Sequence, residues 1–574
     1  MARAAAFPTP RYRGSMSWSL AWICLLMLVV VFLVMMPLAL MLLNSFQLSP
    51  LGQPPVYGLK GWQQALSDQS MLTALENTFS LSVARESIAL VIGVFLAWLI
   101  ARTDLPLKGT LEFIFWVAFF LPPLPVAIGW ILLLDQQFGL VNQWLRLLPF
   151  VHGAVFNIYS FWGIVWVHLT TNLGVKVLLL APAFRNMDAA LEESSRSCGV
   201  SALGTLRRII IPLMAPAIIV SVILGLIRSL DAYEVELLLG VPIRLYVYST
   251  KIRDLVTFDP PQYAPALALG TMLLVVLLVL VAAQRWYIGR HVYRTISGRG
   301  FSTRATPLGR WRVPAAAAVM AIALVVTLVP MVVLLMGTFM RAFGYFNIPN
   351  PWTLEHWQSV LTDASLVRAF RNTMVVGAGV ALIGTAFCSL IAYVIVKTKF
   401  AGRAALDLLS WLPWAIPGIL MGLALLWTVF ETPFLLPLYG TLAVLILALI
   451  IKTMPFGVQL SKNVLLQLRD DLEEASRIVG GGWLQTYRRV VLPLLAPTLV
   501  TVALIGFMSA ARDISTVVLL GSSNTQTLAL LSLDFAYGGQ FEKATIVAIL
   551  TAALVIAAAG LTRRLGGKLG ILGA

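Results

Sequence analysis

Apolar runs of about 18 or more residues recur along the whole chain, each long enough to cross a bilayer as a helix. Lipid offers backbone groups no water, so a spanning segment must satisfy its own hydrogen bonds as a helix or close into a barrel. These runs are continuous rather than alternating, which selects helices over barrel strands. Only 11% of the 574 residues are charged and 59% are hydrophobic, whereas a soluble globular chain has about 25% and 45–50%. The expected fold is all-α and polytopic.

Spans are expected near 18–43, 73–101, 111–134, 158–183, 212–240 and 263–288, then near 313–340, 367–396, 406–430, 438–460, 493–520 and 541–562. That makes about 12 transmembrane helices, and a chain resident in the lipid bilayer. The formal charge of +16 does not point to nucleic acid, because the basic residues sit in short clusters at the ends of apolar runs. Such clusters are topology signals that stay in the cytoplasm. Arg3, Arg11 and Arg13 place the N-terminus inside. Alternation then puts Arg102 and Lys108, Lys397, Lys399 and Arg403, and Arg563, Arg564 and Lys568 inside as well. Both termini are therefore expected to be cytoplasmic. The first run is too long for a signal-peptide core and reads as a retained span. The three cysteines, Cys24, Cys198 and Cys388, form neither a disulfide framework nor a zinc spacing.

The chain repeats itself. Leu59, Trp62, Gln63, Leu66, Asp68, Asn77 and Thr78 return 295 residues later as Leu354, Trp357, Gln358, Leu361, Asp363, Asn372 and Thr373. Six spans per half give both halves one orientation, hence two parallel six-helix repeats with any pore between them. The expected division is a first half at 1–284, a basic cytoplasmic linker at 285–312 and a second half at 313–574. The first half carries extra residues, assigned to the external stretch 135–157.

Each half also holds a polar island between apolar stretches, within 185–212 and 462–493. One reads Glu193-Ser-Ser-Arg-Ser-Cys-Gly199, then nine residues, then Ile209-Ile-Ile-Pro212. The other reads Glu474-Ala-Ser-Arg-Ile-Val-Gly480, then nine residues, then Val490-Val-Leu-Pro493. The spacing between the copies is 281 residues (Glu193 to Glu474). The residues around each Glu favour helix. Gly199 and Gly480 stop it or permit a tight turn. Arg207-Arg208 and Arg488-Arg489 follow on a second short helix, and Pro212 and Pro493 mark entry to the next span. The expectation is a helix–turn–helix on the membrane surface, fixed to a spanning helix, with both copies offered to one two-fold partner in water.

The islands resemble the coupling-loop signature of binding-protein-dependent ABC importer permeases: Glu-Ala-Ala, three residues, Gly, nine residues, Ile-x-Leu-Pro. They depart from it at the alanines, with Ser194 and Ser195 in one copy and Ser476 in the other. The resemblance implies a transport subunit of the bacterial inner membrane with its two usual permease subunits fused. Glu193, Arg196, Gly199 and Pro212, with Glu474, Arg477, Gly480 and Pro493, would couple to two copies of an ABC ATPase subunit. A periplasmic substrate-binding protein would deliver substrate for alternating access. The fused form is similar to the ferric-iron, thiamine and aminoalkylphosphonate permeases. Glu234-Val-Glu-Leu-Leu-Leu-Gly240-Val-Pro242, Tyr246-Val-Tyr and Arg512-Asp-Ile-Ser-Thr-Val-Val-Leu-Leu-Gly521 look like the ferric-iron branch. Thiamine, aminoalkylphosphonate or another small solute is the alternative. An ion-gradient transporter would share the repeats but give no reason for the islands.

No phosphate-binding loop is present; Gly566-Gly567-Lys568-Leu569 lacks the leading glycine and the hydroxyl residue. ATP hydrolysis is expected on a separate subunit, and neither catalytic residues, a metal nor a cofactor are expected here. The four histidines are dispersed and read as interface or loop residues. Charged groups within spans cost about 2.5–3.5 kcal/mol each and call for a reason. Asp231, Glu234, Arg512 and Asp513 are candidates for gate or pathway groups. The competing reading is neutralisation, with Arg228 and Asp231 paired as i,i+3 neighbours and Glu234 and Glu236 reaching external water. Arg85-Glu86 reads as a local or interhelical pair. Lys176 and Lys452 would face a vestibule or snorkel. Pro122, Pro123 and Pro125, with Pro413 and Pro417, are expected to break the third span of each half.

Overall fold

The computed structural model describes residues 15–49, 53–187, 190–290 and 305–568. Arg3, Arg11 and Arg13 and residues 291–304 of the basic linker lie outside the described residues.

The first half runs α1 (Ser15–Asn44), α2 (Gln69–Arg102), α3 (Lys108–Phe120), α4 (Pro123–Leu134), α5 (Phe161–Arg185), α6 (Ala190–Ser197), α7 (Leu203–Leu230), α8 (Tyr248–Thr257) and α9 (Tyr263–Arg290). The second half repeats this order as α10 (Arg312–Gly337), α11 (Ala364–Lys397), α12 (Arg403–Ala415), α13 (Gly418–Glu431), α14 (Leu442–Leu465), α15 (Asp471–Ile478), α16 (Trp483–Arg512), α17 (Leu528–Tyr537) and α18 (Phe541–Lys568). Ten of these helices are long and apolar enough to cross a membrane alone.

The third span of each half is broken where the prolines fall. Helices α3 and α4 meet at 102°, and α12 and α13 at 114°. Each pair nevertheless crosses. Arg102 at the end of α2 donates to the Met187 carbonyl just after α5 (3.0 Å), so α2 and α5 end on one face. The Ile158 amide before α5 donates to the Leu134 carbonyl at the end of α4 (3.3 Å), so α4 ends on the other. In the second half Lys397 reaches the Leu468 carbonyl (2.7 Å) and Asp470 (2.6 Å) beside α15, while only residues 432–441 join α13 to α14. Twelve crossings result.

Both islands lie on the same face. Asp104, next to Arg102, accepts from the Leu308 amide (2.8 Å), so α10 starts on the island face of the first half. It ends on the opposite face, where the Phe343 amide meets Glu542 at the start of α18 (2.8 Å). Helix α11 then returns to deliver Lys397 to the second island.

The halves exchange their first helices. Val30 and Val34 of α1 are buried with Ile391 of α11 and Met454 of α14. The Asn44 amide donates to Glu431 at the end of α13 (2.6 Å). In return Val319, Ala323 and Val326 of α10 pack with Leu111 and Phe115 of α3.

Two expectations need correction. The fifth spans end at Leu230 and Arg512, not near 240 and 520, because the chain turns irregular at the charged Asp231 and Asp513. The short helices α8 and α17 that follow were not anticipated. Each docks on its half's second span: Thr78 accepts from the Tyr248 amide (2.9 Å) and Thr373 from the Leu528 amide (2.8 Å). The repeated Asn next door holds the same loops, Asn77 on the Tyr246 carbonyl and Asn372 on those of Asn524 and Gln526.

Candidate functional site

Each island is a short helix, a glycine turn and a second arm. Gly199 (φ +78°) and Gly480 (φ +84°) end α6 and α15 in the left-handed region, where a side chain would be strained. The turn closes identically in both copies: the Val200 amide bonds the Ser195 carbonyl (3.2 Å) and the Gly481 amide bonds that of Ser476 (2.9 Å). The second arm is not a separate helix. It is the start of α7 and of α16, which run unbroken into the membrane. Pro212 and Pro493 follow wide turns of helix at Leu206–Ile210 and Tyr487–Val491. Proline lacks an N–H and its ring blocks the carbonyl four residues back, and the widened turn absorbs that conflict.

The serines that replace alanine in the signature do chemical work. Ser195 bonds the Thr205 hydroxyl (2.9 Å) and Ser476 bonds that of Thr486 (2.8 Å), bolting one arm to the other in both copies. The paired Ser-to-Thr spacing of ten residues was the signal for this in the sequence. Glu193 and Glu474 are exposed. The side chains of Arg196 and Arg477 lie outside the described residues. The second island is also clamped from below: Tyr393 of α11 donates to Glu473 (2.9 Å), and its ring packs edge-on against Tyr487. The first island has Trp98 and Leu206 at the matching positions, both buried in an apolar cluster.

The second candidate region lies where the fifth spans end. Lys452 of α14 donates to Asp513 (2.7 Å), Thr516 (3.0 Å) and Ser515 (3.2 Å), and stands 3.7 Å from Asp231 of the other half. Glu234 is close enough to interact electrostatically with Lys452, Asp231 and Asp513. Asp231 also accepts from the Gly418 amide at the first residue of α13 (2.5 Å). Arg512 donates to the Phe119 and Phe120 carbonyls at the end of α3 (3.2 and 3.1 Å), while staying within electrostatic reach of Glu234 and Asp513. A small cavity beside Arg512, lined by Pro122, Pro123 and Pro125 among others, has about 10 Å³ for the centre of a guest. That is room for about one water and no larger solute.

Several expectations about charge are decided here. Asp231 interacts more strongly with Lys452 of the other half than with Arg228 on its own helix, which still attracts it. Arg228 is exposed and lies over the Phe119 ring (5.1 Å to its centre). Glu236 does not reach water; it is buried and bonded to Arg85 (2.8 Å) and His168 (2.9 Å). Of the two readings of Arg85 and Glu86 the interhelical one holds: Arg85 pairs with Glu236 and Glu86 with the buried Lys176. Successive side chains on a helix point about 100° apart, so adjacent charges seek different neighbours. Among the described residues no three His, Cys, Asp or Glu side chains are placed to hold a metal ion. The carboxylates that do gather here gather around an ammonium.

A duplicated bundle of twelve crossings, with matched polar islands on one face and a charged seam between its halves, is the architecture of a two-half membrane transporter. The family described as binding-protein-dependent transport system inner membrane components matches residues 89–292 and 384–570, and the chain belongs to it. It is 26% identical to a ferric transport system permease protein of Actinobacillus pleuropneumoniae over 76% of its own length, and spans 63% of the length of that relative. It is 21% identical to an Fe(3+)-transport system permease protein of Haemophilus influenzae, covering 86% of this chain and 90% of the relative. A sulfate transport system permease protein of Salmonella typhimurium is 27% identical over 35% of this chain and 77% of its own.

Proposed function

We propose that this chain supplies two permease halves to the membrane pathway of an ATP-driven ABC importer, with the island face in the cytoplasm. The observation that carries the reading is the pair of islands: same face, same geometry, each continuous with the fifth span of its half. Motion imposed on α6 or α15 by a bound protein passes through the Ser–Thr bolt into α7 or α16 without crossing a flexible joint. The fit is to two copies of an ATPase subunit, one gripping each island near Glu193 and Glu474. Arg102, Lys108, Lys397, Lys399 and Arg403 all cluster toward the island face, which supports the cytoplasmic assignment. A periplasmic binding protein would deliver substrate to the other face.

Ferric iron is the substrate this reading favours, supported by the names of the two long relatives and by the segments at Glu234 and Arg512. Reconstitution with the ATPase and binding protein in liposomes tests both levels. ATP-dependent uptake of ferric iron but not sulfate is expected; sulfate uptake would reassign the substrate. The double variant Glu193→Arg with Glu474→Arg should insert normally and abolish uptake. Undiminished uptake by that variant would contradict the coupling role.

A further inference from the structure

The 281-residue spacing that relates the islands also pairs Asp231 with Arg512. These two residues occupy the same place in the repeat, at the end of the fifth span, yet carry opposite charges. They are not partners of each other. Each reaches the broken third span of the opposite half: Asp231 bonds the first amide of α13, and Arg512 bonds the last carbonyls of α3.

A break in a spanning helix leaves amides at one new end and carbonyls at the other without intrahelical partners. At membrane depth water cannot serve them, so protein must. The helix dipole then decides the sign. A carboxylate suits the amide end, a guanidinium the carbonyl end. The two charges fit these two ends and would not fit if exchanged.

We propose that Asp231 and Arg512 form a reciprocal latch that holds the two halves together at their broken spans. Lys452 ties the latch, because it stands between Asp231 of one half and Asp513 of the other. Parting the halves strips both broken ends of their partners at once. The latch therefore opens only as water or passing solute takes over those groups. In the transport reading above, this keeps the pathway shut between deliveries. The latch rests on that reading only for its consequence, not for its geometry.

The test uses the full chain alone in lipid nanodiscs, so that failure of the ATPase reading leaves it intact. Spin labels at Leu147→Cys and Leu436→Cys report the separation of the halves. Each site is exposed in the loop after a broken span. Cys24, Cys198 and Cys388 are replaced by alanine. The cysteine-replaced background, with the latch residues intact, should show one narrow distance. Asp231→Leu and Arg512→Leu should each raise a second, longer distance, its population up about ten-fold for the loss of one charge-assisted hydrogen bond. Asp231→Asn and Arg512→Gln keep an acceptor and a donor and should stay near the parent. The exchange Asp231→Arg with Arg512→Asp should be as open as the leucine variants, although it keeps both charges. Restoration of the parent distance by the exchange would show that the two residues pair with each other and overturn the latch. So would leucine variants with the parent distribution. Should a leucine variant fail to insert, the alanine variant at that position carries the same expectation.

Discussion

Inside the first half Arg85, Glu86, His168, Lys176 and Glu236 are brought together among the spans; at the matching places the second half has Val380, Ala381, Leu449, Gly457 and Val517. The packing compensates pair by pair. Gly93 of α2 leaves room for Lys176 of α5, whereas in the second half Cys388 of α11 fills the space left by Gly457 of α14. Elsewhere the halves agree closely, in the caps at Asp68 and Asp363, the loop anchors at Asn77 and Asn372, and the Ser–Thr bolts of the islands. The repeat thus keeps what positions a chain end or a lever. It is free wherever a pair of facing helices needs only matched volume and balanced charge.

The largest expected effect breaks that balance on one side. Glu86→Leu strands the Lys176 ammonium and should cost about 3–5 kcal/mol, read as a fall in the unfolding midpoint in detergent. Glu86→Leu with Lys176→Met leaves this site uncharged, as it is in the second half, while keeping its volume, and should recover most of the loss. A double variant no more stable than the single would show that the two cores are not interchangeable.

Next comes the loop anchor. Asn372→Ala removes two bonds to backbone carbonyls and Asn77→Ala removes one, so losses of about 2 and about 1 kcal/mol are expected by the same assay. Equal losses would mean that the second carbonyl contributes nothing.

The island bolts sharpen the comparison at the island face. Ser195→Ala and Ser476→Ala each delete a hydroxyl pair of about 1 kcal/mol. The second island keeps its Tyr393–Glu473 clamp, so hydrogen exchange should quicken more in α6 than in α15. Equal quickening would deny the clamp its role.

Much of this was legible from residues alone. Apolar run length located the crossings, prolines located the broken spans, and the spacing of Glu193, Gly199 and Pro212 located the polar islands and their glycine turns. Partner choice was not legible. Arg228 and Asp231 are neighbours in sequence, and nothing local says that Asp231 will turn to Gly418 and Lys452 of the other half. The ends of the fifth spans were misplaced for a related reason: hydropathy continues past Asp231 and Asp513, but the helices stop where those carboxylates find partners. Helices α8 and α17 lay hidden in that continuation.

The smallest effect concerns acid. The Ser70 hydroxyl holds the Asp68 carboxyl below its usual range, and the Ser365 amide does the same for Asp363. A depressed carboxylate stabilises the fold above its ordinary pKa, and this is lost as pH falls through the folded value. Both groups are well hydrated, so each cap is worth roughly 0.5–1 kcal/mol. Asp68→Ala with Asp363→Ala should flatten the acid side of the stability profile slightly; an unchanged slope would assign acid sensitivity elsewhere.

The central claim is that two levers of one geometry stand on the cytoplasmic face. Cys198 is exposed at the turn of the first island, and Val479, its counterpart, is exposed in the second. With Cys24 and Cys388 replaced, the Val479→Cys chain can be treated with a membrane-impermeant maleimide from either side. Labelling of both sites in inside-out vesicles and of neither in intact spheroplasts is the predicted result. Labelling of either site from outside the cell would contradict the account.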